Sequence, residues 1–350
     1  MNFALILSCA VLLDSVLGDP QNFPHPVVFI GRFIDFWHKR LYASPRSFWR
    51  GLVLCAMTIL VTCLTVWLVL YVCGCNMLVK VYLLYAALAW RDLKDETAPI
   101  LECLRKNDLP NARRFLASVV GRDTQNLTEA EISRAAIETI AENSVDGVMS
   151  VLFWAGLGQA LSAEYGACVC VWTFKAASTL DSMVGYEAFG RYGTPSARLD
   201  DAVNFIPARL GGIVIVFAGC LMGKKALHVF LSDRLRHKSP NSAHGESAFS
   251  GVLGVKLGGG AFYGGVFEAR DYINPNARDP RPNDIVSAWR VLDASCILFT
   301  ILVISLTCIT LWLFTELTLK ICIVPSTCQC LKRFLTSAPT QTFSLGRTFT

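Results

Sequence analysis

The chain has 350 residues, of which 53% are hydrophobic and only 17% charged, with a formal net charge of +5 and a mean hydropathy of +0.45. Ordinary globular chains carry about a quarter charged residues, so this one has too few polar groups to cover a soluble surface. Disorder, a collagen-like fibre and an ordinary nucleic-acid-binding domain are excluded, because acids interrupt every basic stretch and no tract follows a phosphate backbone. The composition is that of an integral membrane protein, and the lipid bilayer is its first expected partner.

Residues 1–17 are apolar but carry Asp14 and lack the basic start and small-residue cleavage site of a signal peptide, which predicts a retained first helix. Gly18-Asp19-Pro20 and His25-Pro26 then form turns that bring an acid and an imidazole together, either as a proline-fixed cap or as a ligand-contacting pair. Residues 51–72 hold no charge and are long enough to span a hydrocarbon core. Residues 77–90 follow a Cys73-Gly74-Cys75-Asn76 turn, carry Lys80 and are short for a return crossing.

The next polar stretch contains Gly121-Arg122-Asp123-Thr124 and then Thr128 followed by Glu131, a capping box that predicts a helix from Glu129. Glu131, Glu138 and Glu142 share one face of that helix, with Asn143 and Asp146 at its end. One reading is a solvated helix with Arg134 paired to Glu138. The other is a carboxylate cluster suited to Mg²⁺ and substrate phosphates, with Arg122 available to an anion. Residues 147–172 are apolar but contain Gly156, Gly158 and Glu164, and 203–222 contain Asn204, Pro207 and Arg209. Both read as crossing or re-entrant segments against a wet cavity.

Between them lie Lys175, Asp181, Tyr186, Arg198, Asp200 and Asp201. Adjacent carboxylates repel unless a cation, either an arginine or a metal, sits nearby. The fourth polar stretch offers His237, Asn241, His244 and Glu246, then the glycine run Gly258-Gly259-Gly260 with Gly264-Gly265, whose amides suit either phosphate or a flexible loop. The histidine spacing fits no tight zinc pattern. Residues 294–315 form a second uncharged span, and 316–350 turn Thr/Ser/Cys-rich, as an extension of no assigned role.

Most of the fourteen cysteines lie in apolar runs, without C-x-x-C, and read as small buried hydrophobes. The expected fold is an all-α polytopic integral membrane protein: one domain over 1–315, with about four to six membrane segments, some re-entrant, and long helical polar loops. Basic residues concentrate in 19–50, 91–147 and 223–290, which places those stretches in the cytoplasm. The side of 173–204 stays open, because it depends on whether its two flanking segments cross. No serine–histidine or cysteine–histidine nucleophile is evident.

These words, in this order, resemble the CbiB/CobD family of cobalamin biosynthesis, the adenosylcobinamide-phosphate synthases. The resemblance runs from about residue 5 to residue 315. It is carried by LGDP (17–20) with HP (25–26), GRDT (121–124), ETIAENSVDGV (138–148), STLDSMVGYE (178–187), ARLDDAVNFIPARL (197–210), HKSPNSAHGE (237–246) and KLGGGAFYGG (256–265). Ser178 and Ser144 stand where the family usually has Asn and Thr. The resemblance implies ATP-dependent amide formation between propionate f of adenosylcobyric acid and aminopropanol phosphate or a related amino-alcohol phosphate. It implies ATP and Mg²⁺, with no haem, flavin, zinc or Fe–S group, and no nucleic acid as partner. A multi-pass place in the bacterial inner membrane follows, with the site facing the cytoplasm and other late corrinoid-pathway enzymes as further partners.

The resulting expectations are catalytic roles for Glu138, Glu142, Asp181, Asp200, Asp201, His25 and His237. Substrate or phosphate contacts fall to Arg122, Lys175, Arg198, Arg209, Asn241, Gly258 and Gly259, and Mg²⁺ to Asp146, Asp200 and Asp201. Two other classes compete: a corrinoid or metabolite permease, and a membrane sensor akin to β-lactamase regulators. A permease would carry its charges at mid-membrane, and a sensor would not need the dense acidic words.

Overall fold

The structure, a computed structural model, describes residues 3–19 and 25–323. The chain is built almost wholly of helices: α1 (Phe3–Leu17), α2 (Pro26–Leu41), α3 (Phe48–Val72), α4 (Met77–Tyr85), α5 (Trp90–Arg105), α6 (Leu109–Ala117) and α7 (Glu129–Asn143). A π-helical turn, Ser144–Met149, joins α7 to α8 (Ser150–Leu161). Then come α9 (Gly166–Val184), α10 (Thr194–Leu221), α11 (Leu227–Asp233), α12 (Ser242–Leu253) and α13 (Pro282–Ile323). Among the described residues, four helical stretches are long and apolar enough to cross a bilayer: Phe48–Val72, Glu129–Leu161, Thr194–Leu221 and Pro282–Leu313. The fold is that of an all-α polytopic membrane protein.

The two uncharged spans of the sequence fall inside α3 and α13. Helix α1 follows the apolar start, and the nine residues of α4 rise only about 14 Å, too little to return across a bilayer. The segment 147–172 is not one continuous helix. Helix α8 stops at Leu161, the chain turns, and α9 runs back against α8. Gly158 and Gly166 face each other so closely that a Cβ on either would collide with the other's carbonyl, which lets the hairpin arms touch along their backbones. The polar word at 197–204 is likewise not loop. It forms the first turns of α10, whose later part is the apolar 203–222 segment with Pro207 inside the helix. Of the 316–350 extension, residues 324–350 lie outside the described residues.

The rod α7–α8 is the centre of the structure. From Ile132 to Ala141 every residue of α7 is buried, because helices α5, α6, α12 and α13 all pack on it. Its start is fixed as the sequence predicts, with Thr128 and Glu131 exchanging side-chain and backbone hydrogen bonds. The π turn comes where two side chains bond back into the helical ladder: Asn143 Nδ2 to Thr139 O at 2.9 Å and Ser144 Oγ to Ala141 O at 2.8 Å. Such turns re-aim side chains within a helix, and this one separates Glu142 from Asp146.

Two short antiparallel ladders follow α12. Strand β1 (Leu257–Gly258) pairs with β4 (Tyr272–Ile273), and β2 (Ala261–Tyr263) pairs with β3 (Val266–Glu268), Phe262 opposite Phe267. Gly264 and Gly265 turn the second hairpin with φ of 57° and 80°, a conformation that suits glycine. Their amides donate to the Asp123 carboxylate at 3.1 and 2.7 Å. The hairpin is thereby pinned to the Gly121–Thr124 segment, and Arg122 is held over the end of α7.

Candidate functional site

Two neighbouring cavities open around the end of α7 and the π turn. The smaller, about 190 Å³, is lined by Arg122, Glu138, Glu142, His237, Glu246 and Arg270 among others. The larger, about 750 Å³, is lined by Glu142, Asp146, Asp181, Arg198, Asp200, Asp201 and Asn241 among others. Glu142, Asn143 and Ser242 line both and form the wall they share.

In the small pocket Arg122 donates to Glu138 Oε2 at 2.6 Å, and Gly258 N–H donates to Glu138 Oε1 at 2.7 Å. The anticipated Arg134–Glu138 pair is present but longer, 3.9 Å. Burial works against the Arg122 charge, but Glu138 overrides it and holds the guanidinium above its ordinary pKa. Glu246 sits in α12, a helix of Ala, Ser and Gly thin enough to pack close to α7. Burial pushes its carboxyl well above the usual range, and the Glu138 and Glu142 charges add to that. His237 Nδ1 lies 3.5 Å from Glu246 Oε1 and 3.3 Å from Ser242 Oγ. Its Nε2 is buried with no partner among the described residues. Burial keeps this imidazole below its ordinary pKa, and therefore neutral near pH 7.

The larger cavity is walled by carboxylates. Asn204 Nδ2 donates to both Asp200 oxygens at 3.2 Å, and Ser150 Oγ in turn holds Asn204 Oδ1 at 2.8 Å. Asp201 accepts from Ser239 Oγ at 3.4 Å and faces Arg198 at 3.9 Å. Asn241, buried, donates to the Asp201 carbonyl at 2.9 Å. Ser178, on α9, lines the same space. The carboxylates of Glu142, Asp146 and Asp181 project into this space as further acids. So much like charge is tolerable only with protons or cations among it.

Five expected residues lie elsewhere or are otherwise engaged. His25 caps α2, accepting from Val27 N–H at 3.2 Å, and its Nε2 stands 3.6 Å from Asp19. That joins the acid and imidazole anticipated at this turn, but away from both cavities. Lys175, half-buried, lies in electrostatic reach of Asp146, Asp92 and Asp19 without lining either space. Arg209 stacks on the Phe205 ring, 3.4 Å from its centroid, and donates to Asn241 Oδ1 at 3.2 Å, bracing the Ser239–Asn241 turn. Gly258 and Gly259 do line the small pocket, yet their amides are spent on Glu138 and on Asp271 O at 3.1 Å.

Arg270 and Ser242 were not singled out by the sequence, and Asn143 and Glu246 were noted there without being assigned a catalytic or binding role. Glu246 left a further signal: an acid placed within a run of small residues, which marks a close-packed helix.

An acid-walled cavity at the end of a buried polytopic helix bundle defines a membrane protein with a polar small-molecule site. The chain belongs to the CobD/CbiB family of cobalamin-biosynthesis proteins: the family model described as CobD/Cbib protein matches residues 7–292. It is 42% identical over 286 residues to the cobalamin biosynthesis protein CobD of Pelobacter propionicus, covering 78% of this chain and 85% of the relative. It is 37% identical over 328 residues to that of Desulfotalea psychrophila, with 87% and 96% covered. Against the cobalamin biosynthesis protein CbiB of Salmonella typhimurium it is 37% identical over 313 residues, with 85% and 96% covered. No solved structure matches the chain.

Proposed function

We propose that the chain catalyses ATP-dependent amide formation between adenosylcobyric acid, at propionate f, and aminopropanol phosphate or a related amino-alcohol phosphate, giving adenosylcobinamide phosphate. The observation that carries this reading is the pair of cavities meeting at one wall, one small and one of about 750 Å³, a size within the range of ordinary ligand pockets, roughly 300–1,000 Å³. A bimolecular condensation needs two ligands side by side with their reacting atoms in contact. Family membership supports the pathway.

Joining a free carboxylate to an amine is uphill in water, so the carboxyl must first be activated. Phosphorylation by ATP gives an acyl phosphate, and attack by the amine then expels phosphate. Arg198 and Arg122 would hold phosphate oxygens and the charge that grows at the acyl centre. Glu138 keeps Arg122 in place, and Asn204 keeps Asp200 in place.

Among the described residues no group of three or more His, Cys, Asp or Glu side chains is arranged to hold a metal by itself. Mg²⁺ ordinarily takes one or two carboxylates and fills its shell with water and substrate phosphate. Asp146, Asp200 and Asp201 all line the larger cavity, and one or two of them would supply that donor set. Bound there, Mg²⁺ would neutralise phosphate charge. A cytoplasm-facing site in the bacterial inner membrane, where ATP is at hand, completes the proposal.

The test is ligation by purified protein in detergent with both substrates, ATP and Mg²⁺, the corrinoid product being read by mass. A product heavier by the amide-linked amino-alcohol phosphate, absent without ATP, is expected. No product from folded protein that binds the corrinoid refutes the reading.

A further inference from the structure

The two cavities differ in size and in charge pattern, and those differences divide the substrates between them. At about 190 Å³ the small pocket falls below the roughly 300 Å³ at which ordinary ligand pockets begin, so it takes a ligand of few heavy atoms. A nucleotide or a corrin is too large for it. Its mouth carries the exposed Arg270, whose guanidinium lies 5.2 Å from the Tyr263 ring and, among the described residues, makes a single polar contact, at 3.4 Å to Glu268. Beside it Arg122 uses one donor on Glu138, which leaves others of its five N–H groups for a ligand. Further in, the pocket changes character. Side-chain exposure falls to 8% at His237 and 7% at Glu246, and the ring carries a buried nitrogen without a partner. A buried polar atom left unsatisfied costs stability, and one that faces a cavity is explained by a ligand that completes it.

The ring's orientation is set. Nδ1 faces Glu246 Oε1 and Ser242 Oγ, and the tautomer with its proton on Nδ1, donating to either oxygen, is the one that leaves a lone pair on Nε2. Ser242 belongs to the wall shared with the large cavity, so this ring lies against the side of the small pocket that borders the large one.

We propose that the small pocket is the subsite for a short zwitterionic aminoalkyl phosphate, its phosphate held by Arg270 and Arg122 and its nitrogen at His237 Nε2, against the Glu142–Asn143–Ser242 wall. This rests on the ligase reading above and assigns one of its two substrates to a place. The ammonium gives a proton to Nε2. The freed nitrogen lone pair forms the C–N bond to the activated acyl carbon presented from the large cavity, and the C–O bond to phosphate breaks, releasing inorganic phosphate. The second proton of that nitrogen leaves with the departing phosphate as hydrogen phosphate, and the proton on the imidazole passes to solvent. Glu246 is a positioning residue: it holds the tautomer and touches neither substrate.

The experiment combines steady-state ligation with calorimetric binding of aminopropanol phosphate on the full-length protein in detergent. Arg270→Gln, at the exposed mouth, folds normally. It raises the KM for aminopropanol phosphate about ten-fold or more while leaving the corrinoid KM unchanged, as loss of a charge-assisted hydrogen bond requires. His237→Asn lowers kcat about 100-fold, the usual worth of a positioned base, and recovers as pH rises and solution supplies free amine. Glu246→Leu lowers kcat and Glu246→Gln, which keeps the acceptor oxygen at Nδ1, restores part of it. Arg270→Gln acting on the corrinoid or ATP KM instead, or a His237→Asn defect equal at every pH, overturns the assignment. Wild-type protein that binds no aminopropanol phosphate overturns it as well. Wild-type protein that binds it, with Arg270→Gln binding about ten-fold more weakly, but never ligates, upholds the subsite and fails the ligase reading alone.

Discussion

The Arg122–Glu138 pair gives the sharpest stability test. Its side chains are 16% and 7% exposed and 2.6 Å apart, and the second Glu138 oxygen takes the Gly258 amide at 2.7 Å. Glu138→Leu strands a buried guanidinium, at about 3–5 kcal/mol, and orphans the amide, at about 1–3 kcal/mol more. Arg122→Met leaves the carboxylate with the Gly258 amide and a distant Arg134 at 3.9 Å, and also costs about 3–5 kcal/mol. The double substitution removes both charges and leaves only the amide unpaired, at about 1–3 kcal/mol. The two changes are therefore strongly non-additive, with the double variant more stable than Glu138→Leu alone. Denaturant unfolding in detergent micelles, followed for all three variants beside wild type, reads the cycle. Single-variant losses below about 1 kcal/mol, or losses that simply add, refute the argument that these two charges depend on each other for burial.

Further expectations follow from the same geometry. Asp201→Asn, with normal membrane insertion, lowers turnover about 100-fold or more if its charge serves phosphate or metal handling; near wild-type ligation removes that role. His244 is buried beside Arg209, Arg234 and the Phe230 ring, and burial takes its imidazole from 6.5 down to about 4. As pH falls below 6.5 the unfolded chain takes up a proton that the folded chain refuses until about 4. This contribution to stability is thus intact above 6.5 and declines by at most about 1.4 kcal/mol per unit through that window. Melting at pH 7 and pH 5 checks it, and His244→Leu flattens the difference; an unchanged slope contradicts the burial argument. Gly158→Ala drives a methyl into the Gly166 carbonyl and destabilises the α8–α9 hairpin by about 1–3 kcal/mol, read as a lower melting temperature. An unchanged melting temperature refutes the close crossing.

The sequence carried much of this site because its polar words are long. The shared face of Glu138 and Glu142, the Thr128–Glu131 cap and the crowding of Asp200 with Asp201 all follow from local spacing, and all are present. What hydropathy cannot say is where an apolar run reverses. Residues 147–172 look continuous in composition, and the reversal depends on two glycines meeting across a turn. Partners distant in sequence were hidden for the same reason. Arg134 at i+4 was the visible partner of Glu138, yet Arg122 and the Gly258 amide, brought in by the hairpin pinned on Asp123, bind it more closely. Gly258 and Gly259 suggested free amides for phosphate, but a glycine's freedom does not reveal that a carboxylate or a neighbouring carbonyl has already taken its N–H. Glu246 hid in plain view, since burial of an acid is decided by the helices around it.

The central claim is ligation through an activated carboxyl, and one measurement addresses it directly. Adenosylcobyric acid labelled with ¹⁸O in its free carboxyl is incubated with the protein, aminopropanol phosphate, ATP and Mg²⁺, and both products are read by mass. The mechanism predicts an ATP-dependent corrinoid heavier by the amide-linked amino-alcohol phosphate, with one ¹⁸O transferred to inorganic phosphate. Intact protein that binds both substrates yet forms no amide, or that forms it with no label in phosphate, contradicts the mechanism.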